Sequence, residues 1–208
     1  MKKNPMLYIF SPKFEKRLPE FLFEDEVKML LDKELYNKED KFILRDKAIM
    51  ELLYATGMRL RELEGVNIDD IDFSSKTVRV KGKGGKIRII PITDLALKRI
   101  NEYLEERLKK GEKFNLNSPL FLNKNGTRLT GRSVARIIKK RAKQSGLFKN
   151  VHPHIFRHSF ATHLLNGGAD LRVVQELLGH SNLSTTQVYT HITKSRLREM
   201  YDKTHPRR

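Results

Sequence analysis

The segment VHPHIFRHSFATHLLNGGADLRVVQELLGHSNLSTTQVYTH, residues 151–191, decides the reading of this chain. Pro153 suits a first helical turn, where its missing N–H has no partner to lose. The predicted helix runs to Asn166, and Gly167-Gly168 supply a left-handed cap. His154 and Arg157 stand three apart, so both project from one face near the helix N-terminus. Free N–H groups and the helix dipole favour an anion there. A guanidinium fork and an imidazole at the same end point to a phosphate or carboxylate site. A second helix follows, with Asp170 as N-cap and Leu171, Val174, Leu177 and Leu178 at helical spacing. Gly179 stops it, and His180 comes just beyond. Ser184-Thr185-Thr186-Gln187 has the form of a capping box, so a third helix begins at Ser184. Tyr189 falls in its first turns, and a tyrosine held near a basic, anion-binding surface is a candidate nucleophile.

The charge balance agrees with an anionic partner. The 208 residues carry 42 Lys and Arg against 25 Asp and Glu, a formal net charge of +17. An imbalance this large in one domain's length predicts nucleic acid ahead of an acidic membrane. No apolar run is long enough to span a bilayer, no signal peptide is visible, and no basic amphipathic helix stands out. The sequence has no cysteine, which excludes disulfides, thiolate zinc sites and cysteine nucleophiles. A cytoplasmic protein is the simplest reading.

Working outward from residue 151, Ser133 to Ser145 reads as a strongly basic helix. Val134, Ile137 and Ile138 face in, and Arg132, Arg136, Lys139, Lys140 and Arg141 face mostly out. Asn115 to Gly131 is loop around the apolar patch Leu120-Phe121-Leu122. Leu95 to Lys110 is a helix with Leu97, Ile100, Tyr103, Leu104 and Leu108 inside. Thr77–Lys81 and Lys86–Ile89 alternate polar and apolar around Gly82-Lys83-Gly84-Gly85, the pattern of a β-hairpin. Phe42 to Tyr54 and Phe21 to Leu35 show helical spacing, and a short helix starts near Arg61. Residues 1–20 read as an arm or linker remnant, because Pro12 and Pro19 argue against helix. Ser195 to Tyr201 is a short helix. The piece 192–208 looks weakly anchored, and docking on a neighbouring protomer is expected for it. The whole predicts a mainly α, α+β domain over 21–191, with one small antiparallel sheet and no internal repeat.

Ala55-Thr56-Gly57-Met58-Arg59-Leu60-Arg61-Glu62-Leu63, Gly82-Lys83-Gly84, His154-x-x-Arg157, Leu178-Gly179-His180 and Tyr189-Thr190-His191 occur in this order. Together they resemble the tyrosine site-specific recombinases of the phage-integrase type, with the Xer recombinases the nearest pattern. The resemblance covers Pro12 to the C-terminus. It implies a catalytic domain without the N-terminal helical domain that clamps the far face of the DNA. It also implies roles. Arg59 and Arg157 would grip the scissile phosphate with His154 and His180. Lys83 would protonate the leaving oxygen and Tyr189 would be the nucleophile, while Glu62 would support the site without reacting. Lys86, Arg88, Arg132, Arg136 and Lys139 are expected to hold DNA. The expected partner is a double-stranded recombination site, with a free monomer, a tetramer on paired sites, and a second related recombinase as a further option.

The chemistry suits these residue types. A phosphodiester carries one negative charge and its pentavalent transition state two, so guanidiniums, imidazoles and a lysine meet the added charge without metal or ATP. No cofactor is expected. Rival assignments are a DNA-binding fragment that does not recombine and a type IB topoisomerase-like nicking-closing enzyme. At residue level, His154 and His158 could pair on zinc, but the Glu of a His-Glu-x-x-His site is missing. Tyr201 is the rival nucleophile.

Overall fold

The computed structural model describes residues 21–32, 40–115, 117–179 and 194–207. The arm 1–20, His180, Tyr189 and the helix expected at Ser184 lie outside them.

The helix α2 (Ile43–Thr56) is the axis of the fold. It is buried along nearly its whole length, including Arg45, Asp46 and Glu51. A helix apolar on several faces must be wrapped on several sides. Here α1 (Glu24–Asp32), α4 (Asp94–Lys109), α5 (Gly131–Ser145) and α6 (Pro153–Asn166) all pack on it. Gly57 ends α2 in the left-handed region at φ +58°, its N–H bonded to the Leu53 carbonyl. A Cβ at Gly57 would stand 2.4 Å from the Phe160 ring of α6, so packing and backbone both demand glycine. The short α3 (Leu60–Gly65) follows, then the sheet.

Three antiparallel strands lie in the order β1 (Ile71–Asp72), β2 (Thr77–Lys81), β3 (Ile87–Pro91). The expected hairpin is present, with Arg79 opposite Ile89 and Lys81 opposite Ile87. Strand β1 is too short to leave a period-2 signal and was not anticipated. A single helical turn, Lys83–Gly85, closes the hairpin, with Gly84 and Gly85 at positive φ. Helices α7 (Leu171–Leu178) and α8 (Lys194–Thr204) complete the described chain.

Several side chains depart from the sequence reading. Leu108 is 53% exposed, and Arg107 takes the buried position instead. Its guanidinium spans Glu112 and the carbonyls of Pro119 and Leu120, closing the loop after α4. Arg141 is not on the outside of α5. It is buried against Asp46 of α2 and Asp40. Leu171 is exposed and Val173 buried in its place, because α7 begins at Leu171 and turns its third position inward. At the end of α6 the left-handed glycine expected there is Gly168, at φ +91°, while Gly167 keeps a right-handed conformation.

The C-terminal piece is anchored on its own chain rather than left loose. Tyr201 is buried and donates to the Ala55 carbonyl at 2.8 Å. Arg207 reaches both Asp32 and Glu51. These contacts also remove Tyr201 as a rival nucleophile. Burial holds its hydroxyl proton far above the ordinary phenol range, and the oxygen already serves a backbone carbonyl.

Candidate active site

The end of α2 delivers Arg59. Its backbone N–H donates to Glu62 Oε2 at 2.7 Å, an N-terminal cap that fixes the first turn of α3. Its side chain donates through Nη1 to Glu62 Oε1 at 3.0 Å and remains 41% exposed. Glu62 is therefore both a helix cap and a charge partner. A second arginine meets the same carboxylate. Arg88 of β3 donates Nη1 to Oε1 at 2.9 Å and Nη2 to Oε2 at 2.8 Å. Burial alone would raise the Glu62 carboxyl, but the bonds from Arg88 and Arg59 bring it below its ordinary value.

Arg157 approaches from α6. It donates Nη1 to the Gly57 carbonyl and Nη2 to the Leu178 carbonyl, both at 2.8 Å. One guanidinium thus ties the end of α2, 100 positions back from Arg157, to the end of α7. Burial, then repulsion from Arg59 and Arg88, pulls its pKa down to about 10, with Glu62 opposing. It remains a cation at neutral pH, held among other cations. Two guanidiniums thus bond one carboxylate, and a third, Arg157, lies within electrostatic reach of it. A site so unbalanced in a low-dielectric setting gains from an incoming anion.

The hairpin borders this cluster. A Cβ built on Gly82 would lie 3.5 Å from both Glu62 Oε1 and Arg88 Nη1, so the backbone just before Lys83 runs beside the carboxylate. His154 is exposed at the start of α6, one turn before Arg157, with His152 6.2 Å away. The N-terminus of α5 abuts α3: a Cβ on Gly131 would meet Leu60 at 3.2 Å and Glu64 at 3.0 Å. The exposed Arg132, Arg136 and Lys139 of α5 therefore extend from an element that touches the helix Arg59 begins, and Lys86 is exposed on the hairpin. Among the described residues no cluster of three or more His, Asp or Glu gathers as for a metal, and no helix is long and apolar enough to cross a membrane.

Of the sequence-stated residues, Arg59, Glu62, Arg88 and Arg157 are in one cluster, and His154 is on the helix that delivers Arg157. Arg88 does not stand free for phosphate as expected, since its fork is committed to Glu62. The signal for this was present: Arg88 shares strand parity with the buried Ile90.

The comparisons agree with this geometry. The phage integrase family matches residues 20–196. The chain belongs to the phage integrase family. A tyrosine recombinase XerC of Halalkalibacterium halodurans is 50% identical over 209 residues, covering 99% of this chain and 68% of the relative. The crystal structure of a XerA recombinase superposes with a TM-score of 0.70 at 35% identity, over 92% of this chain and 68% of that one. A XerH site-specific recombinase bound to its difH substrate, in a pre-cleavage complex, gives 0.69 at 28% identity, over 89% and 51%. The chain spans about two thirds of the length of the first two relatives and half of the third. Its fold is that of a tyrosine recombinase catalytic domain, an enzyme class that transfers DNA strands, of the Xer type.

Proposed function

We propose that the chain cleaves and rejoins DNA at a specific recombination site through a phosphotyrosyl intermediate at Tyr189, as in chromosome-dimer resolution or integration and excision. The observation that carries this reading is the arginine cluster, in which two distant sequence motifs supply Arg59 and Arg157 around one carboxylate. Arg59 and Arg157 would bind the non-bridging oxygens of the scissile phosphate. His154 and His180 would add hydrogen bonds to the same oxygens. Attack by the Tyr189 oxygen forms a bond to phosphorus and breaks the bond to the 5′ oxygen. The tyrosine proton passes to solvent water in this step, and the departing oxygen takes one from Lys83, so a 5′-hydroxyl leaves. Proton transfer of this kind typically contributes ~10²–10⁴-fold. The 3′-phosphotyrosyl bond keeps the energy of the broken one, so a second 5′-hydroxyl reverses the step without ATP. Exposed Lys86, Arg132, Arg136 and Lys139 would hold flanking phosphates, which position the duplex without reading its sequence. The cytoplasm is the proposed compartment. Four copies would assemble on two paired sites, with or without a second recombinase.

A nicked suicide duplex carrying a Xer-like site tests the reading. The expected result is a covalent protein–DNA adduct in the wild type that is lost in Tyr189→Phe. Salt-sensitive binding with no adduct would overturn the enzymatic reading and leave a DNA-binding domain.

A further inference from the structure

Strand alternation turns Arg88 toward the body of the protein. Ile87 and Ile89 beside it are exposed, and its side chain is only 16% exposed. Its guanidinium makes three directed hydrogen bonds. Two take both oxygens of Glu62, and Nε donates to the Leu177 carbonyl at 3.1 Å. Gly179, at φ +64°, lies across the same side chain; a Cβ there would stand 3.1 Å from Arg88 Cδ and Nη1. One residue thereby joins the hairpin that carries Lys83, the helix that begins at Arg59, and the end of α7, from which the chain passes to His180.

We propose that Arg88 is a positioning residue for strand cleavage, fixing the Glu62 carboxylate and the C-terminus of α7 so that Arg59 and Arg157 address one phosphate. The inference rests on the strand-transferase reading above. The bidentate edge of this fork, the strong form of the contact, goes to Glu62 and its Nε–H to the Leu177 carbonyl, and a side chain only 16% exposed offers little else to a phosphate. Two effects follow from its loss. Among the described residues Glu62 would keep Arg59 as its one hydrogen-bonded cation and draw that guanidinium away from substrate. The Leu177 carbonyl would lose its donor, while Arg157 alone held the next carbonyl along, that of Leu178.

Arg88→Lys and Arg88→Gln, made in the full chain, separate this from a direct phosphate contact. Lysine keeps the charge but not the planar fork. The expected result is adduct formation from the suicide duplex slowed about 10–10²-fold in R88K, as for a small misplacement of reacting groups. DNA affinity and its salt slope should stay near wild type. Amide hydrogen exchange at Leu178 and Gly179 should rise. The double variant E62Q/R88Q should lose less than the two single losses combined, because both act through one contact. Wild-type cleavage by R88K overturns the proposal. So does a salt slope lowered by about one phosphate in R88Q and restored in R88K. If R88Q does not fold, R88K decides alone. Wild-type protein that forms no adduct sinks the strand-transferase reading and this role with it, whereas failure of the Arg88 proposal alone leaves wild-type adduct intact.

Discussion

Of the arginine–carboxylate clusters that touch α2, two differ in their charge balance. Midway along the helix, the buried Glu51 and the half-exposed Asp32 of α1 both bond Arg207. Just beyond the end of the helix, Arg59 and Arg88 bond the carboxylate of Glu62, and Arg157 adds a third guanidinium within its electrostatic reach. The first is closed by the chain's own C-terminal residues, with Arg99 in electrostatic reach of both carboxylates. Burial pushes the Glu51 carboxyl up, so that the Arg207 bonds serve to offset its desolvation. The second has cations to spare and leaves Arg59 partly open to solvent. A cluster that the protein itself completes holds the fold, whereas one left short of negative charge is built to receive it.

This contrast is open to attack from both sides. Arg207→Ala strands two carboxylates, one of them fully buried. It should cost about 3–5 kcal/mol of stability, read as a lower midpoint in denaturant titration, with any loss of cleavage tracking unfolded protein. Arg59→Ala should do the reverse. Its half-exposed pair with Glu62 contributes about 0–1 kcal/mol to folding, but single-turnover cleavage should fall about 10²–10³-fold, as when one charge-stabilising donor is removed. If both variants lost stability and activity in parallel, the distinction would fail. Gly57→Ala sharpens the boundary between the two regions. Its φ of +58° and the 2.4 Å approach to Phe160 predict a loss of about 1–3 kcal/mol, with a further cleavage defect because the Gly57 carbonyl anchors Arg157.

The smallest effect concerns pH. His205 is buried against Tyr54, Phe160 and Tyr201. Burial, with Arg207 and His163 adding repulsion, lowers its pKa from 6.5 to about 3, while the Tyr54 carbonyl opposes. Between those values the unfolded chain binds a proton that the folded chain refuses. Its contribution to stability is whole above pH 6.5 and is lost as pH falls toward 3. His205→Phe should flatten the fall of Tm with acid over this window, although the acid loss from Asp32, whose carboxyl Arg207 holds low, would remain.

Element type and order were legible because each helix and the hairpin carry a local period, a cap or a glycine stop. Asp170 accepts from the Arg172 N–H as its place before an apolar repeat predicts. Arg141, Arg107 and Arg88 were not read correctly. Composition treats arginine as a surface residue, yet each finds a buried acid or a row of carbonyls supplied by a distant segment. The same holds for the C-terminus, where a polar tail gives no local sign that Asp32 and Glu51 await it.

By itself the sequence determined the succession of helices around one hairpin, the excess of positive charge, and the motif residues Arg59, Glu62, His154 and Arg157. Those depend on neighbours a few positions away and on residue chemistry. Only the tertiary structure decided which arginines are spent on the protein's own carboxylates and which are left short of a partner. That choice depends on pairings across as many as 175 positions, and no local pattern encodes the burial that makes an uncompensated charge costly.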